Sequence, residues 1–133
     1  MNKLQTKRVT KGIIIEIDPS FIYGLRIVIS DYCVAYEGNL DAEKEVRDSP
    51  YITGEIPLSS TDYIELTKDL KIPTTFPKGM SGLDGETYTV SIVDGKSKVT
   101  FTWWVHCPEG WESLNIFLHK VIDFIRQKHL STA

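Results

Sequence analysis

The stretch from Glu86 to Trp104, followed at once by a helical pattern from Trp111, constrains the fold more than any other part of the chain. Asp94-Gly95 is a dipeptide favoured at the centre of a two-residue type I′ turn, because both central residues need positive φ, and residues of high β-propensity flank it. Closing that turn between Val93 and Lys96 sets Ile92 opposite Ser97, Val90 opposite Val99, Tyr88 opposite Phe101 and Glu86 opposite Trp103. Opposed residues share a face of a hairpin. One face therefore carries Tyr88, Val90, Ile92, Val99, Phe101 and Trp103, and the other Thr87, Thr89, Ser91, Lys98, Thr100 and Thr102. The first reads as core and the second as solvated, and a slip by one residue would exchange them.

The last helix is the natural cover for the aromatic face. Trp111, Leu114, Leu118, Val121, Ile122 and Ile125 recur at helical spacing, with Phe117 and Phe124 widening the stripe. Glu109 and Glu112 at its start and Arg126, Lys128 and His129 at its end match the helix macrodipole. Pro108 and Gly110 end the strand before it.

The first half is patterned more loosely. Gly12 to Ile17 is a β-branched run of strand length, and Asp18-Pro19-Ser20 interrupts it. Phe21 to Ser30 places Tyr23, Leu25, Ile27 and Ile29 on one side, and Tyr32 to Gly38 does the same with Tyr32, Val34 and Tyr36. Two strands joined tightly at Ser30-Asp31, or one long bulged strand, satisfy this pattern. Asn39 to Ser49, rich in charge, reads as a solvated loop or a short exposed helix. Tyr51 to Ile56 is extended. Ser59 to Leu70 is helical, with Ser59 and Asp62 at capping-box spacing, and Pro73 stops it. Pro73 to Gly85 is a long connection rich in glycine and proline.

These elements add up to a single α+β domain over residues 1–133. The expected sheet is mostly antiparallel with about five strands, a short middle helix, and a longer C-terminal helix packed on one face. A chain of 133 residues can bury enough surface to fold without a metal or disulfide staple. Residues 1–11, with Lys3, Lys7, Arg8 and Lys11, read as a mobile basic tail. The formal charge of −3 offers no broad attraction to nucleic acid. No stretch reaches transmembrane length and the start lacks the apolar core of a signal segment, so no membrane role and a cytoplasmic setting are expected. Cys33 and Cys107 are then free thiols.

Candidate chemistry is sparse. His106-Cys107 sits beside a helix start that could activate a thiol, but neighbours on an extended segment point apart, and His119 is the other conceivable base. The spacing of these residues matches no metal motif. The glycines from Gly79 to Gly85 precede a strand, not the helix a phosphate loop requires. Asp84, Glu86 and Glu109 could form a carboxylate pair, although turn and helix-start roles account for Asp84 and Glu109. Neither catalytic residues nor cofactors are assigned. Trp104 is the exception to the pattern, since it belongs on the threonine face unless a bulge or a covering segment shields it. With Thr87, Thr102 and His106 as a polar rim, it is the candidate centre of a partner-binding patch.

The expected function is a small non-catalytic binding protein, of inhibitor or immunity type, whose partner is another protein or a second copy of itself. The alternatives are a secretion-chaperone-like dimer and a small hydrolase or transferase using Cys107 or carboxylates near the 73–85 loop.

Overall fold

The computed structural model describes residues 11–19, 22–44, 49–74 and 86–131. Six strands form one antiparallel sheet: β1 (Lys11–Asp18), β2 (Leu25–Ile29), β3 (Cys33–Gly38), β4 (Ile52–Pro57), β5 (Thr87–Asp94) and β6 (Ser97–Trp104), in the spatial order β4-β3-β2-β1-β5-β6. Two helices, α1 (Ser60–Thr67) and α2 (Glu112–Ser131), complete the domain. β1 lies inside the sheet, paired with β2 on one side and β5 on the other.

The terminal hairpin keeps its expected faces with a different register. Asp94 pairs with Ser97, Ile92 with Val99, Val90 with Phe101 and Tyr88 with Trp103, two residues away from the pairing a centred Asp94-Gly95 turn would give. Gly95 has φ +62°, and Lys96 does not share a positive φ. The turn thus has Gly95-Lys96 at its centre with positive φ on the first residue alone, as in a type II′ turn, where glycine is favoured at that position. A shift of two residues returns every side chain to its own face, but burial follows only in part: Val99, expected in the core, is 46% exposed, and Ser91, expected on the solvated face, is 2% exposed.

Core residues come from one face of β1, β2, β3, β5 and β6, with Ile52 and Ile56 of β4 partly buried against them. Ile13, Ile15, Ile17, Leu25, Ile27, Ile29, Val34, Tyr36, Val90, Phe101 and Trp103 pack with Leu66 of α1 and with Leu114, Phe117, Leu118, Val121, Ile122 and Ile125 of α2. Both helices therefore cover the same side of the sheet. At its centre the Tyr88 and Trp103 rings stack at 5.5 Å, and Trp111 meets Phe101 edge-on at 5.3 Å and Trp103 at 6.2 Å. A smaller buried cluster of Ile14, Val28, Ala35 and Val93 occupies the opposite face.

In the first half, β2 and β3 are separate strands. The Ser30 N–H donates to the Cys33 carbonyl oxygen at 2.9 Å, and the Ser30 hydroxyl oxygen accepts from the Cys33 N–H at 3.2 Å, closing the turn between them. Tyr23 and Tyr32, expected on the same side as Leu25, Ile27 and Ile29 and as Val34 and Tyr36, lie outside the paired residues and are exposed. Gly38 ends β3 with φ +124°, where a Cβ would collide with the Gly24 carbonyl oxygen. That carbonyl accepts the Asn39 N–H at 2.9 Å.

The segment after β3 is less solvated than its charge implies. Asn39 and Ala42 are buried, and a short 3-10 turn spans Ala42–Lys44. Arg126 of α2 donates to the Leu40 carbonyl oxygen at 2.8 Å and to Asp41 Oδ1 at 2.7 Å, and Asp41 Oδ2 accepts from the Ser49 hydroxyl at 2.8 Å. Arg126 thus anchors a loop as well as facing a helix terminus.

Ser59 caps α1, accepting the Asp62 N–H at 3.1 Å, as the spacing implies. The helix stops at Thr67, short of Leu70, where the Thr67 hydroxyl donates back to the Tyr63 carbonyl oxygen at 2.8 Å. Ser113 joins the helices: its hydroxyl donates to the Asp69 carbonyl oxygen at 3.1 Å and accepts the Lys71 N–H at 2.7 Å. Lys11 heads β1 opposite Asp94, while Lys3, Lys7 and Arg8 lie outside the described residues.

Candidate functional site

Strand pairing runs without a bulge to the end of the hairpin, with Thr87 opposite Trp104. The two indoles therefore part company. Trp103 is 1% exposed against α2, and Trp104 is half-buried on the opposite side of the sheet. Thr87 is half-buried beside it, and Thr102 and His106 are exposed. Since Asp18 pairs with Thr87, the exposed Asp18 carboxylate joins this end of the face. The Thr89 and Thr102 hydroxyls meet at 3.4 Å, and those of Ser91 and Thr100 at 3.1 Å.

Directly after Trp104 the backbone reverses. Val105 has φ +58°, the only positive φ of a non-glycine among the described residues, and the His106 N–H donates to the Trp104 carbonyl oxygen at 2.6 Å. This is a γ-turn of the strained hand, held by a β-branched residue at a backbone cost on the order of 1–3 kcal/mol. The reversal corrects the expected extended run through His106 and Cys107.

Cys107 is turned towards the backbone at the start of α2. Its Sγ–H donates to the Trp111 carbonyl oxygen at 3.3 Å, with the Pro108 carbonyl oxygen at 3.8 Å. Burial first, and then the Glu112 carboxylate, push the thiol above its ordinary value, outweighing the backbone N–H of Asn115. A thiol activated by a helix start would move the other way. The anion at this helix start is Glu112. It accepts the Gly110 N–H at 3.1 Å, and the backbone N–H groups of Glu112 itself and Gly110 hold its carboxyl below the usual range. His119 Nδ1 lies 2.8 Å from the Asn115 carbonyl oxygen. Among the described residues no three His, Cys, Asp or Glu side chains cluster as metal ligands. Asp84 and the glycines from Gly79 to Gly85 lie outside the described residues, so the carboxylate group is represented by half-buried Glu86 and exposed Glu109.

The same sheet face holds a second group that the sequence pattern did not single out. Strand register aligns Thr102, Thr89, Glu16, Arg26, Glu37 and Thr53 in one row across all six strands. Glu37 is 8% exposed. Its Oε1 accepts the Tyr51 hydroxyl at 2.5 Å, while its Oε2 is buried without a hydrogen-bond partner among the described residues. Arg26, directly opposite on β2, has its Nε buried and unmatched in the same sense. Tyr51 meets Tyr23 edge-on at 5.6 Å and 77°. The sequence signal was an Arg and a Glu at non-core positions of adjacent strands, visible once their register is known.

Two shallow clefts lie elsewhere. One, of about 270 Å³, runs between α1 and α2 along Asp62, Glu65, Lys120 and Asp123; the other, of about 250 Å³, lies between the end of α1 and the hairpin along Tyr63, Leu70, Ile72 and Ile92. Neither includes Trp104, Cys107 or Glu37. Among the described residues no helix is long and apolar enough to cross a membrane. Compared with family models, curated proteins and solved structures, the chain finds no match.

Proposed function

We propose that the protein is a small non-catalytic binding protein, of inhibitor or immunity type, that engages another protein through the sheet face turned away from its helices. The placement of Trp104 carries this reading. A large indole sits half-buried on the face opposite the main core, with Thr87 across from it in register and the exposed Thr102, His106 and Asp18 at the same end. Tryptophan in such a setting, apolar at the centre and polar at the rim, is enriched among residues that dominate binding energy. The cytoplasm suits Cys33 and Cys107, both free. The raised Cys107 thiol supports a binding role over the thiol-hydrolase alternative.

The test compares the parent and Trp104→Ala as baits in the same lysate, with self-association measured in parallel by sedimentation. A stoichiometric protein retained by the parent, or a self-association, should weaken by at least about 2 kcal/mol in the variant. Partner binding that is equal in both proteins would remove Trp104 from the interface and end this reading.

A further inference from the structure

Glu37 and Arg26 pose a physical problem that the Trp104 patch does not solve. A buried polar atom without a partner costs about 1–3 kcal/mol, and more if charged, and here two such atoms of complementary character stand on adjacent strands. No ion pair among the described residues joins them. Four inter-strand steps of about 4.8 Å separate Glu37 from β6, roughly 19 Å, and neither Glu37 nor Arg26 belongs to the Trp104 patch.

Its surroundings specify the missing partner. Tyr51 and Tyr23, 51% and 73% exposed, offer aromatic surface at the buried carboxylate. Glu16 lies opposite Arg26 in register, and Glu55 shares this face of β4 with an exposed side chain. Glu16, Glu37 and Glu55 therefore share this face of β1 to β4 with one cation, Arg26. Charge complementarity favours a basic occupant. A guanidinium fits better than an ammonium, since its planar fork stacks on tyrosine rings and donates to Glu37 Oε2 and a second acceptor together. A peptide carbonyl beside that arginine would supply the acceptor that Arg26 Nε lacks, which calls for a polypeptide rather than a free ion.

We propose that this end of the sheet face is a docking site for a basic protein segment, one arginine of which packs on Tyr23 and Tyr51 and pairs with Glu37. The Tyr51 hydroxyl occupies Oε1 and leaves Oε2 as the oxygen that the arginine meets.

The experiment titrates the isotope-labelled full chain with acetyl-Gly-Arg-Gly-amide and follows backbone amide shifts, with acetyl-Gly-Gln-Gly-amide and sodium acetate as comparison probes. Saturable shifts centred on Gly24, Arg26, Glu37 and Tyr51 are expected with the arginine peptide alone. Glu37→Gln should weaken them at least about tenfold. Tyr23→Ala, an exposed position that cannot unfold the core, should also weaken them and serves if Glu37→Gln misfolds. Absence of saturable shifts, equal binding by the glutamine peptide, retention of full affinity in both variants, or preferential binding of acetate would each overturn the proposal, the last by making Arg26 an anion site.

Discussion

Tyr51 and Cys107 are two side chains whose protons report their surroundings. The hydrogen bond to Glu37, then burial and the carboxylate charge, raise the Tyr51 phenol to about 12 from an ordinary value near 10. The folded chain thus holds this proton more tightly than the unfolded one. The resulting stabilisation is complete below about pH 10 and is lost as pH rises towards 12. Tyr51→Phe should therefore flatten the decline in stability between those values, measured by urea unfolding of both proteins across the window; an unchanged slope would mean that Glu37 does not hold the phenol. For Cys107, thiolate absorbance in a Cys33→Ser background should show titration above the ordinary thiol value of about 8.5. A midpoint well below it would restore the nucleophile reading. Neither environment was legible in the sequence. Glu37 lies between Arg26 of β2 and Thr53 of β4, and Cys107 reaches the Trp111 carbonyl after the chain reverses at Val105, arrangements that depend on strand register and backbone turns.

Elements with a strong period were legible, and those set by a few hydrogen bonds were not. The stripe from Trp111 to Ile125 became the buried face of α2, and the alternation in the terminal hairpin placed Tyr88, Val90, Ile92, Phe101 and Trp103 in or against the core, while Val99 is exposed. The hairpin turn moved by one residue because Gly95 takes the first central position, a choice that periodicity cannot register. Similarly, Asn39 to Ser49 is polar in composition, but its described start is held down by Asp41 and Arg126, a contact across 85 residues of sequence. Since Leu118 is 0% exposed in the centre of the core, Leu118→Ala should cost roughly 2–5 kcal/mol by chemical denaturation. Deleting residues 111–133 removes the cover from Phe101, Trp103 and Val90 and should abolish cooperative unfolding. A truncated chain with a transition near the parent's would show that α2 is dispensable.

Across the whole molecule, two helices packed on one side divide the sheet into a helix-covered face and an opposite face, which carries the buried Ile14 cluster, Trp104 at one edge and the Glu37 group towards the other. Adjacent tryptophans on opposite sides of β6 give this division its sharpest test. The measurement is the unfolding free energy of Trp103→Ala and Trp104→Ala, determined side by side by urea denaturation. Trp103→Ala, which empties the site between Tyr88 and Trp111, should lose about 3–5 kcal/mol, whereas Trp104→Ala should lose less than about 1.5 kcal/mol. Comparable losses in the two variants would contradict the division, because Trp104 would then be core and no recognition surface could be centred on it.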